Sequence, residues 1–132
     1  MDNEMLNIAI NLRKKYNRIS ELLDLTQQME DCISRNDMVS FKILLAMRTD
    51  VLLEIEKIDE NREEILTALE PQKAQRAKYY MQKDAVIADD IPAEDLKIYS
   101  TFMDCKSVAA KLISIDKMLS KKICGDKSFY KK

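Results

Sequence analysis

The 132-residue sequence has no histidine and no tryptophan, and it contains only one glycine and two prolines. The lack of histidine excludes acid–base catalysis by imidazole and metal binding by histidine. The lack of a glycine-rich loop excludes phosphate cradles of the P-loop or Rossmann type. So few turn-forming residues disfavour a fold of many short strands. The abundance of Ala, Leu, Glu, Lys, Met and Ile instead predicts an all-α protein.

Charge is nearly balanced over the whole chain but is divided unevenly between its halves. The net charge is −1, with −6 in residues 1–70 and +5 in residues 71–132. Attraction between the two halves of a folded bundle is enough to explain this division, so the sequence does not call for a nucleic-acid partner.

Cysteine usage and hydropathy both point to the cytoplasm. Cys32, Cys105 and Cys124 are odd in number and have no CxxC spacing, which is typical of free thiols in a reducing compartment. No apolar run approaches the ~20 residues of a membrane span. The amino terminus is acidic where a secretory signal would be basic. We therefore expect a cytoplasmic protein that does not act at a membrane.

Apolar residues recur at helical spacing along most of the chain. A first helix is predicted over about residues 3–35, because nearly five heptads keep their apolar positions in phase. Asn36 can adopt the left-handed conformation that ends a helix, and Asp37 can cap the next one. The second helix is predicted over 38–69, with a possible extension to residue 84.

The rear of the chain is less regular before it becomes helical again. Pro71 forbids an ordinary uninterrupted helix but can begin a new one, so residues 71–90 are either a connection or a helical extension. A third helix is predicted over 92–124. Its start is marked by Pro92 and two acidic residues in the first turn, and its end by two lysines and the only glycine.

Three helices of similar length predict an elongated antiparallel three-helix bundle, in which a coiled-coil-like hairpin is completed by a third long helix. The sequence predicts one domain over residues 1–124 and a mobile tail over 125–132.

Two arginines, Arg48 and Arg62, fall on the apolar stripe of the second helix, and Asp116 interrupts that of the third. One interpretation places each arginine at the edge of the stripe, with its methylenes on the core and its guanidinium in water or on a carboxylate. The alternative is an internal anion site that holds a carboxylate ligand. The string "IEKIDENREEIL" is faintly similar to the helical chorismate mutases, which bind a dicarboxylate among arginines.

Two segments together are similar to the flagellar type III export chaperones of the FliT/FlgN type. The first is "ELLDLTQQMEDCISRNDMVSFKILLAMRTDVLLEIEKID", residues 21–59, and the second is "AAKLISIDKMLSKKI", residues 109–123. The counterparts of the family pattern in the first segment are Asn36–Asp37, Phe41, Leu44–Leu45, Arg48, Leu52–Leu53, Ile55, Ile58 and Asp59.

The resemblance implies a cytoplasmic chaperone without enzymatic activity. Such a chaperone binds an amphipathic terminal helix of a filament-cap or hook-associated protein before export. The cargo would lay an apolar helix face in a groove of the bundle. We expect the end of the third helix to carry that surface, through Val108, Leu112, Ile115, Met118, Leu119, Lys121, Lys122 and Ile123.

Other interpretations of the same residues stay open. The apolar residues of the third helix can simply complete the bundle or a homodimer. A self-associating coiled-coil structural or adaptor protein is the main alternative function, and a small helical enzyme of the chorismate mutase type is a remote one. No cofactor, metal, nucleic acid, membrane or small-molecule substrate is expected.

Overall fold

A computed structural model describes residues 4–82 and 84–124. These residues form four helices: α1 (Glu4–Ser34), α2 (Met38–Ala68), α3 (Pro71–Tyr80) and α4 (Ala93–Cys124). No strand occurs among the described residues. The predicted all-α class is confirmed, whereas the elongated arrangement of three helices stays a prediction.

The turn between α1 and α2 has the predicted chemistry. Asn36 adopts φ 58°, the left-handed conformation that an asparagine tolerates better than most residues. Asp37 caps α2, because its Oδ1 accepts a hydrogen bond of 3.1 Å from the backbone N–H of Ser40. The hydrogen bonds with Ser40 lower the pKa of Asp37. A three-residue turn is therefore enough to reverse the chain.

Proline ends the second helix and begins a separate one. Pro71 occupies the start of α3, and the preceding Glu70 is extended, with φ −57° and ψ 144°. The possible continuation of the second helix to residue 84 is therefore wrong, because proline has no N–H to donate and its ring clashes with the preceding turn of a helix. The helix-favouring residues after Pro71 instead form a separate helix, α3, which is only 10 residues long.

The last helix has nearly the predicted bounds. It begins one residue after Pro92, with Glu94 and Asp95 in its first turn and Lys121 and Lys122 in its last turn. These charges match the polarity of the helix dipole. The predicted tail over 125–132 lies outside the described residues.

The described parts of segments 1–17 and 56–106 form one compact unit. Its core combines side chains from all four helices and from the residue that follows α2: Met5, Ile8, Ala9, Leu12, Leu66, Leu69, Ala77, Tyr80 and Ile98. Arg76 of α3 clamps the buried Asp95 of α4, with its Nε 3.2 Å from Oδ2 and its Nη2 3.1 Å from each carboxylate oxygen. Burial and a hydrogen bond with Asp95 raise the pKa of Tyr80.

The second compact unit comprises the described parts of segments 18–55 and 107–132. Near the α1–α2 turn, Met29, Cys32 and Phe41 pack with Leu119 of α4. Farther from the turn, Val51 packs with Leu22 and Leu25 of α1. Residues late in α1 thus meet residues early in α2, and within this unit the two helices run antiparallel.

Candidate functional site

Arg62 is bound by the chain's own polar groups inside the first unit. Its Nη2 lies 2.7 Å from Asp59 Oδ1, and its Nη1 donates to Asn11 Oδ1 at 2.9 Å. Lys15 Nζ adds a second cation 2.9 Å from Asp59 Oδ1. Burial opposes ionisation of Asp59, but the hydrogen bonds from Lys15 and Arg62 outweigh it and lower the pKa of this carboxyl. The interpretation of Arg62 as an edge residue that reaches a carboxylate is confirmed.

The buried amide of Asn11 connects this cluster to the backbone of α2. Its Nδ2 donates to the carbonyl of Ile58 at 2.9 Å and to Asn61 Oδ1 at 3.2 Å. Since its Oδ1 accepts from Arg62, both ends of the amide are satisfied. The cluster thus fixes the pairing of α1 with α2 within this unit.

Arg48 has a carboxylate partner in the second unit. Its Nη1 lies 2.8 Å from Asp116 Oδ1, and the side chains are only 18% and 19% exposed. Arg48, which interrupts the stripe of the second predicted helix, therefore pairs with Asp116, which interrupts that of the third. Each of the two stripe arginines is held by a carboxylate of the chain, as the edge interpretation predicts.

Exposed apolar side chains lie one helical turn from each member of the Arg48–Asp116 pair. Leu45 and Leu52 lie three residues before and four residues after Arg48, so they share its face of α2. Ile113 has the same relation to Asp116 on α4. All three side chains are exposed, Leu45 by 45%, Leu52 by 44% and Ile113 by 51%. A charged pair is thus framed by solvent-facing apolar residues on both helices.

The apolar frame continues along α2 with the period of a coiled coil. Met38 precedes Leu45 by seven residues, as Leu45 precedes Leu52, and Met38 is also exposed. We call Met38, Leu45 and Leu52 the apolar row. A spacing of seven is the spacing at which a second helix packs against a first. The row therefore has the spacing of one helix–helix packing position along α2.

The structure divides the predicted partner-binding residues of α4 into three groups. Val108 and Leu119 are buried, at 7% and 2% exposure, so they belong to the core of the protein and offer no free surface. Leu112 and Ile115 are half-buried. The exposed members are Met118, Lys121, Lys122 and Ile123.

One of the two predicted rim lysines is engaged within its own unit. Lys122 Nζ lies 3.2 Å from Ser34 Oγ and 3.8 Å from Glu30 Oε2. This lysine therefore ties the end of α4 to the end of α1, although it is exposed like Lys121.

From the sequence, Leu45 and Leu52 were named only as counterparts of the family pattern and were not identified as exposed surface. The sequence did contain a signal for this row, because Met38, Leu45 and Leu52 are spaced by seven residues. The sequence pattern does not give the position of α4, and α4 leaves the side of α2 that bears Leu45 and Leu52 uncovered.

A cleft of about 370 Å³ opens between α1 and α2 near their connecting turn. Among the described residues it is lined by Gln28, Asp31, Cys32, Arg35, Ser40, Ile43 and Leu44. Cys32 is buried, Ser40 and Leu44 are half-buried, and Ile43 is exposed by 58%. The cleft therefore combines apolar surface with polar side chains.

Other chemical groups are engaged in packing or in ion pairs. Cys105 is buried, which raises the pKa of its thiol, and its Sγ lies 3.3 Å from the carbonyl of Leu12. In α3, Lys73 pairs with Glu4 at 3.4 Å and Arg76 pairs with Asp95.

No group of three or more carboxylates and cysteines within 4–82 and 84–124 is placed to hold a metal ion. None of the helices described has both the length and the apolar character needed to cross a membrane.

Comparison with known proteins gives no assignment: no family model matches the chain, and neither a curated protein nor a solved structure matches it.

Proposed function

We propose that the protein is a cytoplasmic, non-enzymatic chaperone that binds an amphipathic terminal helix of a flagellar filament-cap or hook-associated protein before type III export. The observation that carries the binding role is the apolar row of α2, which lies exposed beside the Arg48–Asp116 pair. The flagellar assignment is supported by the resemblance of the two segments named above.

Exposed apolar side chains are concentrated in the second unit. Of the fifteen large apolar side chains that are exposed among residues 4–82 and 84–124, ten lie within residues 38–53 of α2 and 113–123 of α4. Scattered apolar residues are normal on a protein surface, whereas a concentration of them marks an interaction site. This concentration favours the second unit as the binding unit.

The chemistry of the surface favours a helical occupant. A partner helix with apolar residues every third and fourth position would pack its side chains between those of the apolar row and Ile113. The Arg48–Asp116 pair at the base of this surface presents both charges to a polar residue of the partner. Met118 and Ile123 on α4 provide further exposed apolar area.

The proposal is tested by co-expressing the full chain with the terminal segments of the cap and hook-associated proteins of the same genome. Stable complexes are purified, and affinity is measured by fluorescence anisotropy with a labelled terminal helix. Replacing both Leu45 and Leu52 with Ser should weaken binding by about tenfold or more, because each buried leucine contributes on the order of 1–2 kcal/mol. Leu96→Ser is the matched control, since Leu96 is 47% exposed but lies in the first unit.

Failure of all the flagellar segments to bind would refute the assignment. Self-association is the competing function that the heptad spacing of the apolar row also favours. Light scattering distinguishes it: a dimer that persists on dilution and is abolished by the Leu45 and Leu52 replacements would show that the row serves a second copy of the chain.

A further inference from the structure

One exposed face of α2 has a sequence that is symmetric about Ala46. Val39 and Leu53 lie seven residues before and seven residues after Ala46, which is the spacing of one helix–helix packing position. Val39 is 75% exposed, Leu53 is 51% exposed, and Ala46 is exposed as well. Lys42 and Asp50 are exposed and lie four residues on either side of Ala46, so they share its face. We call these five residues the symmetric face.

The symmetric face differs from the apolar row. Val39, Ala46 and Leu53 each follow a member of the apolar row by one residue, and successive residues of a helix point about 100° apart. All five residues of the symmetric face lie within the second unit. A partner on this face therefore does not need the surface that we propose for the cargo.

The two charges of the symmetric face are available for a partner. Within the second unit, α2 has four charged residues, and two of them are engaged: Arg48 lies 2.8 Å from Asp116, and Glu54 lies 3.4 Å from Arg18. Lys42 and Asp50 make no ion pair within residues 4–82 and 84–124. The charges without an ion pair are thus the two that flank Ala46.

A second copy of the same helix matches this arrangement when it runs antiparallel. A two-fold axis at Ala46 brings each residue level with the residue that lies equally far from Ala46 in the other direction. Lys42 is then level with Asp50 of the second copy, and Val39 with its Leu53. The residue on the axis meets its own copy, and the small side chain of Ala46 lets the helices approach closely. A parallel pair would instead bring like charges together, lysine against lysine and aspartate against aspartate.

We propose that a second copy of the chain docks on the symmetric face, with α2 packed antiparallel against α2. Val39 and Leu53 provide the apolar contacts, and two equivalent ion pairs between Lys42 and Asp50 determine the orientation. The fifteen residues from Val39 to Leu53 extend over about 22 Å of helix. One helix pair of this length offers less area than the roughly 800 Å² per partner of a standard stable interface, so the dimer dissociates on dilution. The proposal does not depend on the flagellar assignment.

The experiment is sedimentation velocity of the full-length chain between about 1 and 500 µM, the range of dissociation constants expected of a small interface. The natural chain should pass from monomer to dimer over this range. Lys42→Glu and Asp50→Lys should each weaken the dimer by about tenfold, because each replaces two attractive pairs with two repulsive ones.

The combination of Lys42→Glu with Asp50→Lys tests the pairing directly. It exchanges the two ends of each ion pair, so it should restore the association constant to within about threefold of the natural value. Within one helix the two positions are about 12 Å apart along the axis, which is too far for an ion pair. Recovery of the dimer therefore reports a contact between two copies.

A size change at the axis locates the interface. Ala46→Leu should weaken the dimer by about tenfold or more, because two leucines on the axis force the helices apart. Ala68→Leu is the matched control, since Ala68 is also an exposed alanine of α2 but lies in the first unit, and it should change the association constant less than about twofold. Circular dichroism checks that each variant is folded.

Three results would overturn the proposal. The first is a chain that stays monomeric up to about 500 µM. The second is a double charge variant that associates no better than the single variants. The third is a dimer that is lost on Leu45→Ser but kept on Ala46→Leu, which would place the second copy on the apolar row.

Discussion

Replacing the Arg48–Asp116 pair with apolar residues tests how much this contact contributes to stability. Arg48 Nη1 lies 2.8 Å from Asp116 Oδ1, and the two side chains are 18% and 19% exposed. The contact is therefore intermediate between an exposed and a buried ion pair. Exposed pairs contribute about 0–1 kcal/mol, whereas removing one partner of a buried pair costs about 3–5 kcal/mol. We therefore expect Arg48→Met and Asp116→Leu each to lower the free energy of unfolding by about 2 kcal/mol.

The double replacement should behave differently from the sum of the two single ones. With both charges removed, neither is left in a partly desolvated position, and Met and Leu match the apolar surroundings. The double variant should lose no more than either single variant, which corresponds to a coupling energy of about 2 kcal/mol. Urea unfolding followed by far-ultraviolet circular dichroism gives the free energies, and unchanged m-values show that the variants are comparable.

An exposed pair in the same chain provides the control. Arg13 Nη2 lies 3.1 Å from Asp104 Oδ2, but the two side chains are 47% and 52% exposed. Arg13→Met should cost less than about 1 kcal/mol. Two results would contradict a coupled, partly buried pair. The first is losses at Arg48 and Asp116 that are additive within about 0.5 kcal/mol, and the second is a cost of Arg13→Met as large as that of Arg48→Met.

Three further predictions concern the first unit. Asp95→Ala should lower the free energy of unfolding by about 2 kcal/mol in urea titrations, because it removes a partner of Arg76 that is only 1% exposed. The loss stays moderate because Arg76 is 46% exposed and can turn to water. No measurable loss would contradict a stabilising Arg76–Asp95 contact. Asn11→Leu should lower the thermal midpoint through a loss of about 2 kcal/mol, since it leaves buried polar groups unpaired, and an unchanged midpoint would show that the network is dispensable. Burial raises the pKa of Cys105, so iodoacetamide near pH 8 should modify this thiol mainly after the protein has unfolded. Mass spectrometry follows the modification. Rapid modification of the native protein would show that the thiol is accessible.

Local signals in the sequence predicted most helix boundaries because their physical causes are local. Asn36 and Asp37 determine the first turn through a backbone conformation and a cap that involve only neighbouring residues. Pro92 and the acidic residues after it likewise mark the start of α4. The separate helix after Pro71 was harder to predict, because it is fixed to the rest of the unit by Arg76 and Asp95, which are nineteen residues apart.

The candidate site was less accessible to sequence reasoning. Heptad spacing identifies the stripe that a helix buries, but it does not say which flank a third helix covers. Leu119 was expected to be a surface residue and is buried, whereas Leu45 is exposed beside the stripe. The Arg48–Asp116 contact is an intermediate case: both residues visibly interrupt their stripes, yet only the three-dimensional structure pairs them.

The composition of the second unit has a consequence for synthesis of the chain on the ribosome. Its core is built from α1 and α2 and from α4, which is translated after them. Until Leu119 has emerged, the nascent hairpin cannot bury Met29 and Phe41 against it. The cell therefore holds, for the time needed to translate the rear half, an intermediate with uncovered apolar side chains that other nascent chains can contact.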